Sequence, residues 1–169
     1  DAIETLECWQ LALQAKKTTS ILALTRQGVP PYRDYEERNL CAAGAYELAA
    51  AGKNPQVTIM ASGSEVQLAM QALEKLRDLD ISARVISVPC MELFAQQSAS
   101  AQADIIGDAP LRIAVEAAVQ QSWDRYLRPG DIFIGMEGFG ASAPADQLFQ
   151  HFGITSDSIV AAAQKHSQS

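Results

Sequence analysis

Two histidines, three cysteines and only 13 lysines and arginines are present in 169 residues. The scarcity of His and Cys limits metal chemistry. Cys8, Cys41 and Cys90 are widely spaced, odd in number and form no CxxC, which argues against a zinc site or a disulfide framework. Free thiols fit a reducing compartment, and a cytoplasmic setting is expected. Basic residues are outnumbered by 20 acidic ones, giving a formal charge of -7. A surface of that sign repels phosphate backbones, so nucleic acid is not an expected partner. The nearest thing to a basic cluster, Arg26, Arg33 and Arg38, is interleaved with Asp34, Glu36 and Glu37.

Long apolar runs are also missing, and none reaches membrane-spanning length. The first residues are acidic and amphipathic, unlike a signal peptide. The sequence begins without Met and enters a helical pattern at once, which is expected of a fragment. Neither G-x-G-x-x-G nor G-x-S-x-G occurs, so the dinucleotide fingerprint and the nucleophile elbow are both lacking.

What is there is a chain 48% apolar, rich in alanine and long enough for one domain with a core plus a short extra segment. Ile3, Leu6, Cys8, Trp9 and Leu13 recur at helical spacing, with Lys16 and Lys17 suited to the helix C-terminus. Ser20 to Thr25 reads as a short buried strand with Arg26 at its carboxyl end. Residues 28–39 hold two prolines and no period, and read as a linker.

From about Leu40 strand and helix signals alternate. Strands are expected at Ala45–Leu48, Val57–Ala61, Ala83–Val88, Arg112–Glu116 and Ile132–Gly135. The short Gly52–Pro55 turn predicts that the first two pair antiparallel. A helix is expected after Ser64, with Gln67 completing a capping box. Others are expected over Met91–Ile106 with a break near Gln97–Ser98, over Ser122–Tyr126, from Pro144 to about Phe152, and over Ser156–Lys165. The expected fold is α/β: a five-stranded, mostly parallel sheet with one antiparallel edge strand and helices on both faces.

Ligands in open α/β sheets gather beyond the carboxyl ends of strands, and four places qualify. Arg26 can grip a phosphate or carboxylate bidentately, or pair with Asp34 or Glu36. The turn Ser62-Gly63-Ser64 can cradle an anion at a helix N-terminus, or be only a tight turn with a cap. Phe139-Gly140-Ala141-Ser142-Ala143-Pro144 lacks the second glycine of an elbow, and Ser142 as an N-cap explains it better than a serine hydrolase using His151 or His166. Glu116 ends a strand and is read as structural, bonding to neighbouring backbone N–H groups. The cysteines are read as packed or surface thiols, and Trp9 and Trp123 as core or interface.

Five stretches, taken together, resemble transketolases in order and spacing. They are Ile21 to Gln27, Ala61 to Val66, Arg84 to Pro89, Phe139 to Pro144 and Leu148 to Thr155. The likeness covers essentially the whole chain. Deoxyxylulose-phosphate synthases and the β subunits of 2-oxo acid dehydrogenases share this domain but fit these words less well. The resemblance implies that 1–27 is the tail of a pyrimidine-binding domain, 28–39 a linker and 40–169 a transketolase C-terminal domain. It implies transfer of a two-carbon ketol unit from a ketose phosphate to an aldose phosphate, as in the pentose phosphate pathway, within a homodimer. The cofactors implied for the full-length enzyme are thiamine diphosphate and Mg2+ or Ca2+. Arg26 holds the place of the family's substrate-phosphate arginine. The residue after Gln27, often Asn in the family, is Gly28. The Gly-Asp-Gly motif, the pyrimidine-activating glutamate and the catalytic histidines belong upstream in the family and are absent. The fragment alone is therefore expected to be inactive and to bind no cofactor. Two other readings are a non-catalytic interaction module and a nucleotide-binding α/β domain using the Ser62–Ser64 turn.

Overall fold

Strand burial sets the architecture. In the computed structural model, which describes residues 1–167, Val57–Ala61 (β2) is buried along its whole length, whereas in Tyr46–Ala51 (β1) only Tyr46 is buried and Glu47 and Ala50 are exposed. A strand apolar on both faces belongs mid-sheet, and a half-exposed one tolerates an edge. The sheet obeys this. With Ala83–Ser87 (β3), Leu111–Val115 (β4) and Ile132–Ile134 (β5), the order is β1-β3-β2-β4-β5. β2 runs parallel to β3 and β4, and β4 parallel to β5, while β1 is antiparallel to β3. The expected α/β fold with one antiparallel edge strand is observed.

The expected β1–β2 hairpin is not. Both edges of β2 are taken by parallel neighbours, so β1 lies one strand further out. The intervening residues, 52–56, reach roughly 16 Å, enough to pass the ~10 Å of two strand spacings. Gly52 and Asn54, both at positive φ, turn the chain there.

Period-two alternation divides the core. Val57, Ile59, Val85, Ile113 and Val115 face one side, where Glu65–Asp78 (α2) and Ser156–Ser167 (α6) pack through Val66, Leu73, Leu76 and Ile159. Met60, Ile86 and Ala114 face the other, against Phe94, Ile106, Trp123 and Tyr126. Phe94 and Ile106 come from Met91–Gln96 (α3) and Ala99–Ile106 (α4). The expected break between these helices is present, with Ser98 Oγ capping α4 by accepting from Ala101 N. Around 120–126 there is a 3-10 turn, Gln120–Ser122, in place of the expected helix. Ala145–His151 (α5) begins just after Pro144.

Differences concentrate in the first residues. Ala2–Gln14 (α1) forms, capped by Asp1, but it ends before Lys16 and Lys17. Residues 20–25 are not a strand; Ile21 is 91% and Leu24 61% exposed. A strand needs ladder partners for its backbone groups, and no strand among the described residues lies alongside. The helix itself is turned inside out. Glu4 and Glu7 are buried, while Leu6, Trp9 and Leu13 point outward. The apolar spacing that predicts the helix therefore does not face the core of this chain.

The buried carboxylates bind α1 to the sheet unit. Glu4 Oε1 accepts from Tyr46 Oη at 2.9 Å and from Ser87 Oγ at 2.5 Å. Glu7 Oε2 lies 2.8 Å from the Arg33 guanidinium and accepts from Cys41 N. Asn39 Nδ2 donates to Glu7 O and Gln10 Oε1. Arg33 in turn donates to Tyr46 Oη and lies over its ring. Pairing of this kind is what allows charge to be buried at all.

Candidate functional site

β2 leads through α2 to β3 on one side, and the chain then crosses to β4 on the other. The sheet order thus reverses between the carboxyl ends of β2 and β4, the usual place for a crevice. Two carboxylates meet there. Glu116, just past β4, accepts from Ser62 Oγ at 3.0 Å and from the indole N–H of buried Trp123 at 2.5 Å. Its structural reading is met with side-chain donors instead of the expected backbone ones. Glu65 opens α2 and is 6% exposed. Its carboxylate accepts from Ala117 N at 3.2 Å and Ser64 Oγ at 3.1 Å. Burial, aided by the nearby Glu116 charge, pushes the Glu65 carboxyl above its ordinary range despite these donors. The sequence reading passed over Glu65; its only signal was an acidic residue in the first turn after a strand.

At the Ser62-Gly63-Ser64 turn the first amides of α2 are already used. Glu65 N, Val66 N and Gln67 N donate to the carbonyls of Ser62, Gly63 and Ser64, so the amides that would cradle a phosphate are engaged. Ser64 makes no side-chain cap and Gln67 completes no capping box. Ser64 already has helical φ and ψ, so its hydroxyl turns to Glu65 instead. Beside this turn is a cleft of about 290 Å³ lined by Gln27, Glu65, Met136, Leu148, Phe149 and Phe152, among others. Its walls are mostly apolar.

Ser142 does not cap α5; Pro144 holds the N-cap position. Phe139, three residues earlier, is fully exposed. His151 stacks edge-on to Phe152 with centroids 4.8 Å apart. Among the described residues no bond joins Ser142 to a histidine, and the elbow remains unsupported.

Arg26 is exposed, in a bend beyond the non-strand segment. Beside it, Thr25 Oγ1 donates to Gln27 Oε1, and Gln27 N donates back to Thr25 Oγ1 at 3.4 Å. Neither Asp34 nor Glu36 pairs with Arg26 among the described residues. The guanidinium is thus apart from Glu65 and Glu116 in role: they are engaged internally, and it faces solvent.

No group of three or more His, Cys, Asp or Glu side chains among the described residues could hold a metal ion. Nor, among those residues, is any helix long and apolar enough to cross a membrane.

The family model described as "Transketolase-like TK C-terminal domain" matches residues 44–155. A transketolase of Sinorhizobium medicae is 50% identical over 165 residues, covering 96% of this chain and 24% of the relative. One of Cereibacter sphaeroides is 48% identical over 166 residues, covering 98% and 25%. The solved transketolase of Leishmania mexicana superposes with a TM-score of 0.86 at 35% identity, covering 98% of this chain and 24% of that one. The chain spans about a quarter of the length of the relatives it matches. On this basis it belongs to the transketolase family, of which it is a fragment carrying the C-terminal domain.

Proposed function

We propose that this chain is the substrate-phosphate and packing portion of an enzyme that transfers a two-carbon ketol unit from a ketose phosphate to an aldose phosphate. The observation that carries the reading is Arg26. An exposed guanidinium with no ion-pair partner among the described residues is free to make charge-assisted, bidentate bonds to a phosphate. Residues 1–27 are the tail of a pyrimidine-binding domain, 28–39 a linker and 40–169 the C-terminal domain. The outward Leu6, Trp9 and Leu13 support this division. A helix that buries carboxylates and exposes its apolar stripe is one whose apolar face belongs against another domain. Ile21 and Leu24 supply a strand that completes its ladder in the same domain.

Thiamine diphosphate with Mg2+ or Ca2+ supplies the electron sink for ketol transfer, and its ligands belong to the upstream domains of the full-length homodimer. Among the described residues no cluster of His, Cys, Asp or Glu fits the metal of that group, so no bond-making step is assigned to this chain. What its residues do is hold one end of the sugar phosphate and pack the domain that presents it. Alone, the chain is inactive. A cytoplasmic enzyme of the pentose phosphate pathway is the setting this implies. The nucleotide-binding alternative is disfavoured because the first amides of α2, those of Glu65, Val66 and Gln67, already donate to the carbonyls of Ser62, Gly63 and Ser64.

The test is Arg26→Gln in the full-length polypeptide. A charge-assisted contact contributes about 1.5–3 kcal/mol, so KM for sugar phosphates should rise roughly 10- to 100-fold with kcat little changed. A non-phosphorylated ketose should be handled as before. Equal loss on both substrates would refute the phosphate role.

A further inference from the structure

Cys41 is fully buried in the 3-10 turn Leu40–Ala43 that packs against α1, and its Sγ lies 4.0 Å from the carbonyl oxygen of Glu4. In a helix that carbonyl is the acceptor for the backbone N–H four residues on, which is Cys8. The Cys41 thiol therefore sits beside the turn of α1 that carries Cys8. The turn is fixed in this place by Cys41 N donating to buried Glu7 and by Asn39 bridging to Glu7 O and Gln10. Cys8 is half-buried, so a small oxidant has access to one sulfur of the pair but not directly to the other.

We propose that Cys8 and Cys41 form a reversible disulfide on exposure to hydrogen peroxide, locking α1 onto the C-terminal domain. The proposal is independent of the ketol-transfer reading.

The two sulfurs have unequal tasks. The neighbouring Cys41 thiol lowers the Cys8 pKa below the ordinary thiol value. Proximity to Cys8, with burial, raises that of Cys41. The thiolate is the nucleophile, so Cys8 reacts first. Its sulfur attacks a peroxide oxygen; the S–O bond forms, the O–O bond breaks, and hydroxide leaves, taking up the thiol proton as water. Cys8 is then a sulfenic acid. Cys41 Sγ attacks Cys8 Sγ; the S–S bond forms, the S–O bond breaks, and a second water carries away the Cys41 proton. Two thiols lose two electrons, and one peroxide becomes two waters. Cys90, which donates to Glu92 near the start of α3 and has its pKa raised by burial, has no such neighbour among the described residues and stays outside the reaction.

The experiment is peroxide treatment of the purified chain at neutral pH, followed by alkylation, trypsin and mass spectrometry without reductant. The expected product is peptide 1–16 joined to peptide 39–53, the tryptic pieces holding Cys8 and Cys41. It should vanish on reduction and persist in Cys90→Ser. The cross-link, closing a 33-residue separation, should raise Tm by about 5 °C. Cys41→Ala should leave Cys8 as a sulfenic acid that a dimedone probe labels. The wild-type digest decides the matter even if that variant fails to fold. Oxidation of Cys8 without linkage to peptide 39–53, a chain-to-chain Cys8 cross-link as the main product, or modification of Cys90 alone would each overturn the proposal.

Discussion

The Arg33 guanidinium and the Glu7 carboxylate lie 2.8 Å apart, with 9% and 1% of their side chains exposed. The ion pair joins α1 to the sheet unit through the linker. Burial would raise the Glu7 pKa, but Arg33 and the Cys41 amide more than offset it, and the carboxyl titrates below its usual value. Arg33→Met leaves that carboxylate buried and uncompensated, and should cost about 3–5 kcal/mol. The double variant Glu7→Gln/Arg33→Met should cost clearly less than the sum of the single ones. Urea unfolding of the four proteins measures the coupling. Additive losses would mean that the two groups do not stabilise one another.

Glu7 and Glu65 should respond to acid in opposite directions. The folded pKa of Glu7 is depressed, so its contribution is present above about 4.5 and fades as pH falls through the folded value. The folded pKa of Glu65 is raised, so its native form is favoured below about 4.5 and disfavoured as pH climbs through the folded value. Unfolding free energies of wild type and Glu65→Gln, compared from pH 4 to pH 7, test this. The variant should gain on the wild type with rising pH. A difference independent of pH would remove the shift from the account.

Gly44 ends the 3-10 turn with φ near +80°. A Cβ built there would meet Phe94 N at 2.1 Å and Cys90 O at 2.5 Å, both backbone atoms of the neighbouring segment. Gly44→Ala combines a left-handed backbone with a clash that only main-chain movement relieves. The expected loss is about 3 kcal/mol or more, read as a lower urea midpoint.

The outward face of α1 gives a prediction that depends on context. Leu13 is 76% and Ile21 91% exposed. Leu13→Lys and Ile21→Lys in this chain should each change stability by less than about 0.5 kcal/mol. In the full-length polypeptide, where these residues are proposed to pack on the pyrimidine-binding domain, each should cost about 2 kcal/mol or more. Equal effects in both settings would contradict that assignment.

These residues also mark where the sequence could be read and where it could not. The five strands and most helices from Tyr46 onward, though not the helix expected over Ser122–Tyr126, are legible because hydrophobic periodicity and burial agree within one domain: Val57, Ile59 and Val115 do face a helix layer. The β1–β2 hairpin was misread because a short turn predicts proximity, whereas the edge position depends on which strand is apolar on both faces. At residues 20–25 the apolar run is real, but no strand among the described residues lies alongside to complete a ladder. Nothing in the spacing of Glu4, Glu7 and Arg33 marks them for burial; only the fold brings Arg33 to Glu7 and Tyr46 to Glu4. Arg26 is singled out by its place at the end of an expected strand, where an ion pair is the commoner outcome, and resemblance to the family motif is what turns the reading toward phosphate.

The division of labour proposed for the molecule places all bond-making outside this chain. It is tested most directly by a coupled assay of the purified 169-residue protein beside the full-length polypeptide, with thiamine diphosphate, magnesium, a ketose phosphate donor and an aldose phosphate acceptor. The full-length polypeptide should turn over and the isolated chain should match its cofactor-free blank. Turnover by the isolated chain above that blank would contradict the account.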